Sequence, residues 1–378
     1  MNLPKLLLQH WPLLLFLCLC VVAFLQAFYH VFFFARLAWY KQKPRLVSQT
    51  HPVSVIICAR DEAANLVENL PGSLVQQYNT THEVIVVNDN SYDESKYILE
   101  ALQKEFRQLQ VIELTQEAKM IPGKKFPLSI GIKSAKYEVV LLTDADCVPA
   151  SENWIQLMQD AFRENTEIVL GYGPYHRTKG LLNKLIRWET AHSAIQYLSY
   201  ALAGIPYMGV GRNLSYKKAV FFRHKGFSAH NNIPGGDDDL FINQAANKKN
   251  TAISIDPGSF TLSRPPLKWD QWIKQKKRHY TTSKHYRFIH RFLLGTYAFL
   301  QFAFYFLLAA AAIFYSWKWA LLVFGIKWII QSVVMARSLK KLGEKDLVPY
   351  LLFFDLWMII YYLIFAPALF RRPARNWK

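Results

Sequence analysis

Residues Val53–Glu62 read VSVIICARDE, an apolar and β-branched run that ends abruptly in charged residues. A run of this length and composition is typical of a strand buried on both faces. Two similar runs follow at Val84–Val87 (VIVV) and Val139–Leu142 (VVLL). Helical sequences lie between these three runs, at Glu62–Leu70, Ser95–Arg107 and Pro127–Ala135. Strands that alternate with helices predict an α/β domain with a mainly parallel sheet covered by helices on both faces.

Carboxylates follow each predicted strand, at the edge of the sheet where α/β proteins bind their ligands. Asp61 follows the first strand, Asp89 the second, and Asp144 and Asp146 the third. A single aspartate at such a place is also an ordinary turn residue or helix cap. Two carboxylates two residues apart repel each other unless a cation lies between them. Oxygen ligands alone favour a hard ion, so this Asp-Ala-Asp segment predicts a Mg²⁺ or Mn²⁺ site.

Three consecutive aspartates, Asp237, Asp238 and Asp239, precede a helical sequence in the segment GGDDDLF. Such residues are typical of a helix N-terminus, where carboxylates complement the helix dipole. One aspartate is enough for that purpose. Three in a row therefore predict a site in which at least one carboxylate acts as a base.

Apolar blocks lie at both ends of the chain. The first, Trp11–Ala35, contains no Asp, Glu, Lys or Arg and is long enough to cross a bilayer as a helix. Basic residues follow it, at Arg36, Lys41, Lys43 and Arg45. The positive-inside rule then predicts an integral protein of the inner or plasma membrane whose middle part lies in the cytosol.

Three further apolar runs lie near the C-terminus: Phe292–Trp317, Trp319–Ala336 and Leu347–Phe370. Lys327 interrupts the second of them and Asp355 the third. Ionisable residues inside spanning helices are costly and usually paired, so we expect these two to face each other. Alternatively, the second run lies in the membrane interface and Lys327 snorkels. Basic residues lie between the last two runs, at Arg337–Lys345, and after the last, at Arg371, Arg372, Arg375 and Lys378. Three C-terminal spans put the first group inside and two spans put the second inside, so the charge bias fits either number.

The composition excludes several classes of protein. The chain has 378 residues and a formal net charge of +18, and 52% of its residues are hydrophobic, 15% aromatic and 19% charged. So high an apolar content excludes a disordered chain and does not suit a nucleic-acid binder, so we expect no nucleic-acid partner. The four cysteines form no CxxC pair, which argues against a zinc site or a disulfide framework.

Taken in order, these motifs and the segment Gln275–His279 (QKKRH) resemble those of membrane-embedded family 2 glycosyltransferases. The resemblance covers about residues 50–285. It implies a GT-A nucleotide-sugar-binding domain at 48–285 that ends in an interfacial helix, between an N-terminal transmembrane anchor at 1–47 and a C-terminal transmembrane region at 286–378. It implies inverting, metal-dependent transfer of a hexose from a UDP-sugar to a lipid or polysaccharide acceptor at the cytosolic membrane face.

Donor-binding roles follow from the same resemblance. Asp89 is expected to contact the uracil or ribose, and Asp144 to help hold the nucleotide. Asp146, the second carboxylate of the DxD motif, is expected to bind the metal that bridges the diphosphate. Lys124, in the segment GKKFPL, matches a GKxxAL-like motif, with Pro127 where Ala is usual, and is expected to neutralise phosphate charge. A solvated lysine on a loop is the alternative.

The resemblance places the general base in the aspartate cluster but allows two alignments. Counting back from Leu240 selects Asp237. Counting forward from Gly236 selects Asp238, which we favour slightly. Arg212, in the segment GVGRNL, lies where the family has a glycine-rich turn on the acceptor side.

The segment QKKRH matches the family's QxxRW motif at Gln275 and Arg278, with His279 in place of the Trp. The resemblance puts Gln275 and Arg278 near the donor diphosphate and His279 near the acceptor. The missing Trp argues against processive synthesis. The eight Lys/Arg of Lys268–Arg291 also fit a basic amphipathic helix that rests on anionic lipid.

Three other functions remain open from the sequence. A processive polysaccharide synthase would use the same motifs. A nucleotidyltransferase also pairs aspartates with Mg²⁺, but no Gly-rich phosphate loop follows the first strand. A non-catalytic, basic, membrane-anchored scaffold would explain the net charge but not acidic residues at three successive strand ends.

Overall fold

The computed structural model describes residues 10–42, 51–115 and 123–370. It divides into two compact units, one of Lys41–Tyr286 with Pro367–Lys378 and one of Met1–Tyr40 with Arg287–Ala366. The helices and strands are, in chain order, α1 (Trp11–Phe28), β1 (Val53–Ala59), α2 (Ala63–Leu74), β2 (His82–Asp89), α3 (Ser95–Glu105), β3 (Leu109–Leu114), α4 (Lys125–Ser134), β4 (Val139–Asp144), β5 (Cys147–Pro149), α5 (Trp154–Gln159), β6 (Ile168–Leu170), α6 (Leu181–Leu202), β7 (Leu214–Lys217), α7 (Lys218–Arg223), α8 (Asp239–Ala245), β8 (Thr251–Ile253), β9 (Thr261–Ser263), α9 (Trp269–Ser283), α10 (Phe288–Ala311), α11 (Trp317–Lys341) and α12 (Leu351–Phe365).

The unit of Lys41–Tyr286 is built on a seven-stranded sheet of order β3-β2-β1-β4-β7-β6-β8. The four strands from β3 to β4 are mutually parallel, and β7 is the antiparallel neighbour of β4. β1 is buried along its whole length, as its apolar sequence requires for a central strand covered on both faces. The prediction of an α/β fold with a mainly parallel sheet is confirmed. β5 and β9 form a separate antiparallel pair.

The sheet brings two strand ends of functional interest to one edge. β2 ends at Asp89 and β4 ends at Asp144, on either side of β1. In the register of the sheet, Cys58 of β1 pairs with Asp144, and Ala59 pairs with Asn88. Neighbouring strands lie about 4.8 Å apart, so the ends of β2 and β4 are separated by roughly 10 Å. That spacing is suited to a nucleotide lying across the end of β1.

The other unit consists of long apolar helices. Within the described residues, three stretches are long and apolar enough to cross a membrane: Trp11–Ala38, Phe288–Lys341 and Lys345–Phe370. The second is a hairpin, since the backbone at Ser316 is extended and the ring centroids of Phe304 and Phe324 lie 6.4 Å apart. It therefore contributes two antiparallel helices, α10 and α11.

A buried ion pair joins the last two of these helices. The Lys327 ammonium of α11 lies 3.3 Å from the Asp355 carboxylate of α12, and both side chains are almost fully buried. Gln301 of α10 and Gln331 of α11 donate hydrogen bonds of 2.8 and 2.6 Å to the same carboxylate, which the Tyr305 hydroxyl also contacts. The predicted pairing of Lys327 with Asp355 is confirmed, and Lys327 does not snorkel, because its side chain is buried beside that carboxylate. The flanking cations Lys43, Arg45, Arg371, Arg372, Arg375 and Lys378 lie outside the described residues.

Candidate active site

Several of the acidic residues after β1 and β2 serve to join two loops. The backbone N–H of Tyr92 donates to Asp61 (2.8 Å), and the N–H groups of Ala63 and Ser95 donate to Asp93 (2.9 and 3.0 Å). Asp61 has a φ of 51°, in the left-handed region that aspartate tolerates better than most residues. These carboxylates are turn and helix-start residues, as the simpler interpretation of the sequence predicts.

Asp89 and Asp144 differ from that group because basic side chains approach them. Asp89 is buried, and the Arg60 guanidinium lies 3.9 Å from its carboxylate. Lys124, the residue before α4, donates a hydrogen bond to Asp144. Burial raises the pKa of Asp144, but the Lys124 ammonium outweighs burial and holds that pKa below its usual value. Asp144 is therefore kept ionised at the sheet edge.

Charged groups converge on the end of β1 around the buried Cys58. Burial raises the pKa of the Cys58 thiol to about 12, and four charged side chains lie near enough to influence it. They are Lys124, Asp237, Asp144 and Asp89. Residues separated by as much as 148 positions in sequence thus surround one point of the sheet edge.

The DxD segment offers a cluster of possible metal ligands. Ligand atoms of Asp144, Asp146 and Cys147 lie within 4.8 Å of one another. Burial and the two neighbouring carboxylates raise the pKa of the Cys147 thiol well above its usual value, so the sulfur stays protonated and is a poor ligand. Asp146 remains exposed to solvent. The donors that remain are carboxylate oxygens, which fit a hard divalent ion such as Mg²⁺ or Mn²⁺.

The three consecutive aspartates have three different sets of contacts. Asp237 acts electrostatically on Lys124, on the side of Asp144. Asp238 accepts hydrogen bonds of 2.7 Å from the N–H of Gly211 and from the N–H of Asp239. The side chain of Asp239 accepts hydrogen bonds from residues outside the cluster, the hydroxyls of Thr282 (2.5 Å) and Tyr286 (2.8 Å).

The pKa of Asp238 is suited to proton transfer. Burial, together with the neighbouring carboxylates of Asp237 and Asp239, raises the pKa of Asp238 to about 8. Its two hydrogen bonds leave lone pairs of the carboxylate free, and the side chain is only partly buried. A carboxylate with a pKa near the working pH is an efficient general base.

Arg212 lies near the DxD segment. Its guanidinium stacks 4.5 Å above the ring of Tyr175 and donates a 2.9 Å hydrogen bond to Ser263. Burial and the Asp144 carboxylate raise the pKa of Asp146, and the positive charge of Arg212 opposes that rise. At Asp144, Arg212 adds to the lowering of the pKa by Lys124. Arg212 therefore supplies positive charge beside the predicted metal ligands.

Helix α9 carries the predicted QxxR residues towards the same region. Gln275 lies 3.4 Å from the Tyr175 hydroxyl, and the Arg278 charge influences the pKa of Asp144. Arg278 and His279 are both exposed. Lys276, between Gln275 and Arg278 in sequence, is buried and forms an ion pair with Glu189 of α6, which attaches α9 to the body of the unit.

Sequence reasoning missed several residues of this site. Tyr175, which lies under Arg212 and beside Gln275, has no motif around it in the sequence. Thr282 and Tyr286 lie within the basic segment and drew no separate prediction. Lys125 is 1% exposed, and its only unusual feature in sequence is a charge on the apolar face of a helix.

A mainly parallel sheet with a DxD motif at its carboxyl edge, an aspartate cluster and a lysine in contact with the first DxD carboxylate is typical of a GT-A nucleotide-sugar transferase fold. Residues 54–227 match the sequence model described as Glycosyl transferase family 2, so this part of the chain is a family 2 glycosyltransferase domain. The recognition of this family from sequence is confirmed.

Relatives and solved structures agree with that assignment. The probable glycosyltransferase YdaM of Bacillus subtilis is 24% identical over 60% of this chain and 54% of its own length. The beta-monoglucosyldiacylglycerol synthase of a Nostoc species is 29% identical over 31% of this chain and 25% of its own. The matches thus span about half of the first relative and a quarter of the second.

The mannosyltransferase PcManGT of Pyrobaculum calidifontis, solved in complex with GDP-Man and Mn²⁺, shares the fold with a TM-score of 0.55 and 19% identity. That match covers 86% of this chain and 99% of the other.

Proposed function

We propose that this protein is an inverting glycosyltransferase that moves a hexose from a UDP-sugar to a lipid or polysaccharide acceptor at the cytosolic face of the inner or plasma membrane. The convergence of Asp89, Asp144, Asp237 and Lys124 on the end of β1 is the observation that carries this proposal. A scaffold needs no such cluster. In this proposal the boundaries of the membrane anchor (1–47), catalytic domain (48–285) and C-terminal region (286–378) are those expected from the sequence.

On the donor side, Asp89 holds the nucleoside beside the end of β2. Lys124, Arg278 and Arg212 place positive charge where the leaving diphosphate gains negative charge. Gln275 lies on the same helix face as Arg278 and supports the diphosphate. The ionised carboxylate of Asp144 keeps Lys124 oriented towards this region.

Asp146, assisted by Asp144, would hold Mg²⁺ or Mn²⁺, which supplies further charge stabilisation to the diphosphate when bound. The mannosyltransferase neighbour was solved with Mn²⁺. This likeness supports the metal assignment but does not choose between the two ions.

On the acceptor side, Asp238 accepts the proton of the acceptor hydroxyl as that oxygen attacks the anomeric carbon. Direct displacement inverts the anomeric centre, so an α-linked donor gives a β-glycoside. We choose Asp238 over Asp237 because its raised pKa suits a base and because Asp237 faces Lys124 on the donor side. His279, exposed on α9, borders the acceptor.

The long apolar helices support an acceptor that resides in the membrane. The name of the Nostoc relative indicates a diacylglycerol-linked sugar as the product of that protein. A lipid acceptor for the present chain is the corresponding proposal, with single transfer favoured because His279 replaces the tryptophan of the processive motif.

The test is binding and turnover with the full-length protein in detergent or lipid nanodiscs. We expect UDP to bind only with Mg²⁺ or Mn²⁺ present, and one member of a panel of UDP-sugars to label an acceptor in native membranes. GDP-mannose serves as the nucleotide control. Absence of metal-dependent nucleotide binding would favour the scaffold, and a long labelled polymer would favour a processive synthase.

A further inference from the structure

Lys125 is a buried cation that the proposed mechanism does not use. Its side chain is 1% exposed, although lysine is almost never fully buried without a partner. Its ammonium donates hydrogen bonds to the backbone carbonyls of His230 (2.5 Å) and Ile233 (2.7 Å). Both acceptors belong to the segment 228–236, which leads directly into the aspartate cluster.

This segment has little regular secondary structure. It contains a single turn of 3-10 helix, Ser228–His230, and ends in two glycines, Gly235 and Gly236, with φ of 83° and 82°. Glycine adopts this left-handed conformation without steric cost, but it adopts many other conformations as readily. The position of the backbone here therefore depends on contacts made by neighbouring residues. The two hydrogen bonds from Lys125 attach the segment to the first turn of α4, just before the glycines.

Lys125 also lies within electrostatic reach of all three aspartates. Burial lowers its pKa to about 8, and the carboxylates of Asp237, Asp239 and Asp238 oppose that fall. The lysine thus supplies positive charge beside three consecutive acids that would otherwise repel one another.

We propose that Lys125 is the positioning residue that holds the segment 228–236, which leads into the base Asp238, against α4, so that two adjacent lysines serve opposite sides of the reaction. Lys124 contacts the donor-side carboxylate Asp144, and Lys125 fixes the segment that precedes Asp238. This inference rests on the glycosyltransferase activity proposed above.

The test is the substitution Lys125→Met, which keeps the aliphatic volume and removes the ammonium. A base misplaced by about 1 Å costs on the order of 10²-fold in rate. We expect kcat to fall by about that factor while the Kd for UDP and the KM for the donor stay within about threefold of the wild-type values. Lys133→Met, an exposed lysine on the same helix, is the matched control and should leave kcat unchanged.

A second variant keeps the question answerable if Lys125→Met does not fold. Lys125→Gln retains one amide donor for one of the two carbonyls, so its kcat should lie between those of the wild type and Lys125→Met, again with UDP binding intact. Wild-type kcat in either variant, or a parallel loss of kcat and UDP binding, overturns the positioning role. If the wild type itself shows neither UDP binding nor turnover, the proposed function fails instead, and the two failures are distinguishable.

Discussion

Replacing Asp238 with Asn tests the assignment of the base, because the two side chains have nearly the same shape. The amide can still accept one of the two backbone hydrogen bonds, from Gly211 or from Asp239, so the fold should persist. With a pKa of about 8, roughly a tenth of the Asp238 carboxyl groups are ionised at pH 7 and half at pH 8. The wild-type kcat/KM should therefore rise about fivefold over that unit of pH, since only the ionised form accepts a proton.

Asp238→Asn should lower kcat by a factor on the order of 10²–10⁴ and should abolish this rise with pH. The assay is transfer of radiolabelled sugar to membrane acceptor between pH 6 and 9, with UDP binding as the check on folding. Asp237→Asn and Asp239→Asn are the matched controls: the first should weaken donor binding, and the second should loosen the contact with α9. Because Asp237 helps to raise the pKa of Asp238, Asp237→Asn should also shift the rise of kcat/KM to lower pH. Wild-type activity in Asp238→Asn, or a loss of kcat on the order of 10²–10⁴ in Asp237→Asn with UDP binding intact, would assign the base to Asp237.

Three further outcomes are expected. Asp146→Ala should abolish metal-dependent UDP binding and turnover, whereas wild-type turnover in that variant would defeat the metal assignment. Glu189→Gln leaves Lys276 buried without its counter-charge and should lower the free energy of unfolding by about 3–5 kcal/mol in chemical denaturation. The double variant Glu189→Gln/Lys276→Met should recover much of this loss. An unchanged free energy of unfolding in the single variant would show that the pair is not stabilising. Lys327→Asp and Asp355→Lys should each reduce the yield of folded protein, and their combination should restore it; failure of this rescue would contradict the energetic importance of the pairing.

The sequence predicts the central strands of the sheet because buried parallel strands are continuous runs of apolar, often β-branched residues. β1 has the predicted bounds, and β2 and β4 differ by two residues at most at each end. β3 was missed because its sequence, LQVIEL, alternates polar and apolar residues at the edge of the sheet and lacks a continuous apolar run.

The carboxylates at the strand ends were also predictable, because topology alone brings them to one edge. The different contacts of Asp237, Asp238 and Asp239 could not be predicted from the sequence. They depend on partners that are distant in sequence: Gly211 for Asp238, and Thr282 with Tyr286 for Asp239. No local pattern shows which of three identical side chains will meet which partner, so two alignments of the base stayed compatible with the sequence, with Asp238 only slightly favoured.

The ion pair between α11 and α12 has a consequence for biogenesis. A chain emerging from the ribosome presents Lys327 to the insertion machinery before Asp355 has been synthesised. Until then the hairpin of α10 and α11 holds an uncompensated charge, which makes it a poor candidate for release into lipid. We therefore expect α10, α11 and α12 to leave the translocon together as one cohort, and a chain truncated before residue 351 to be retained there and degraded.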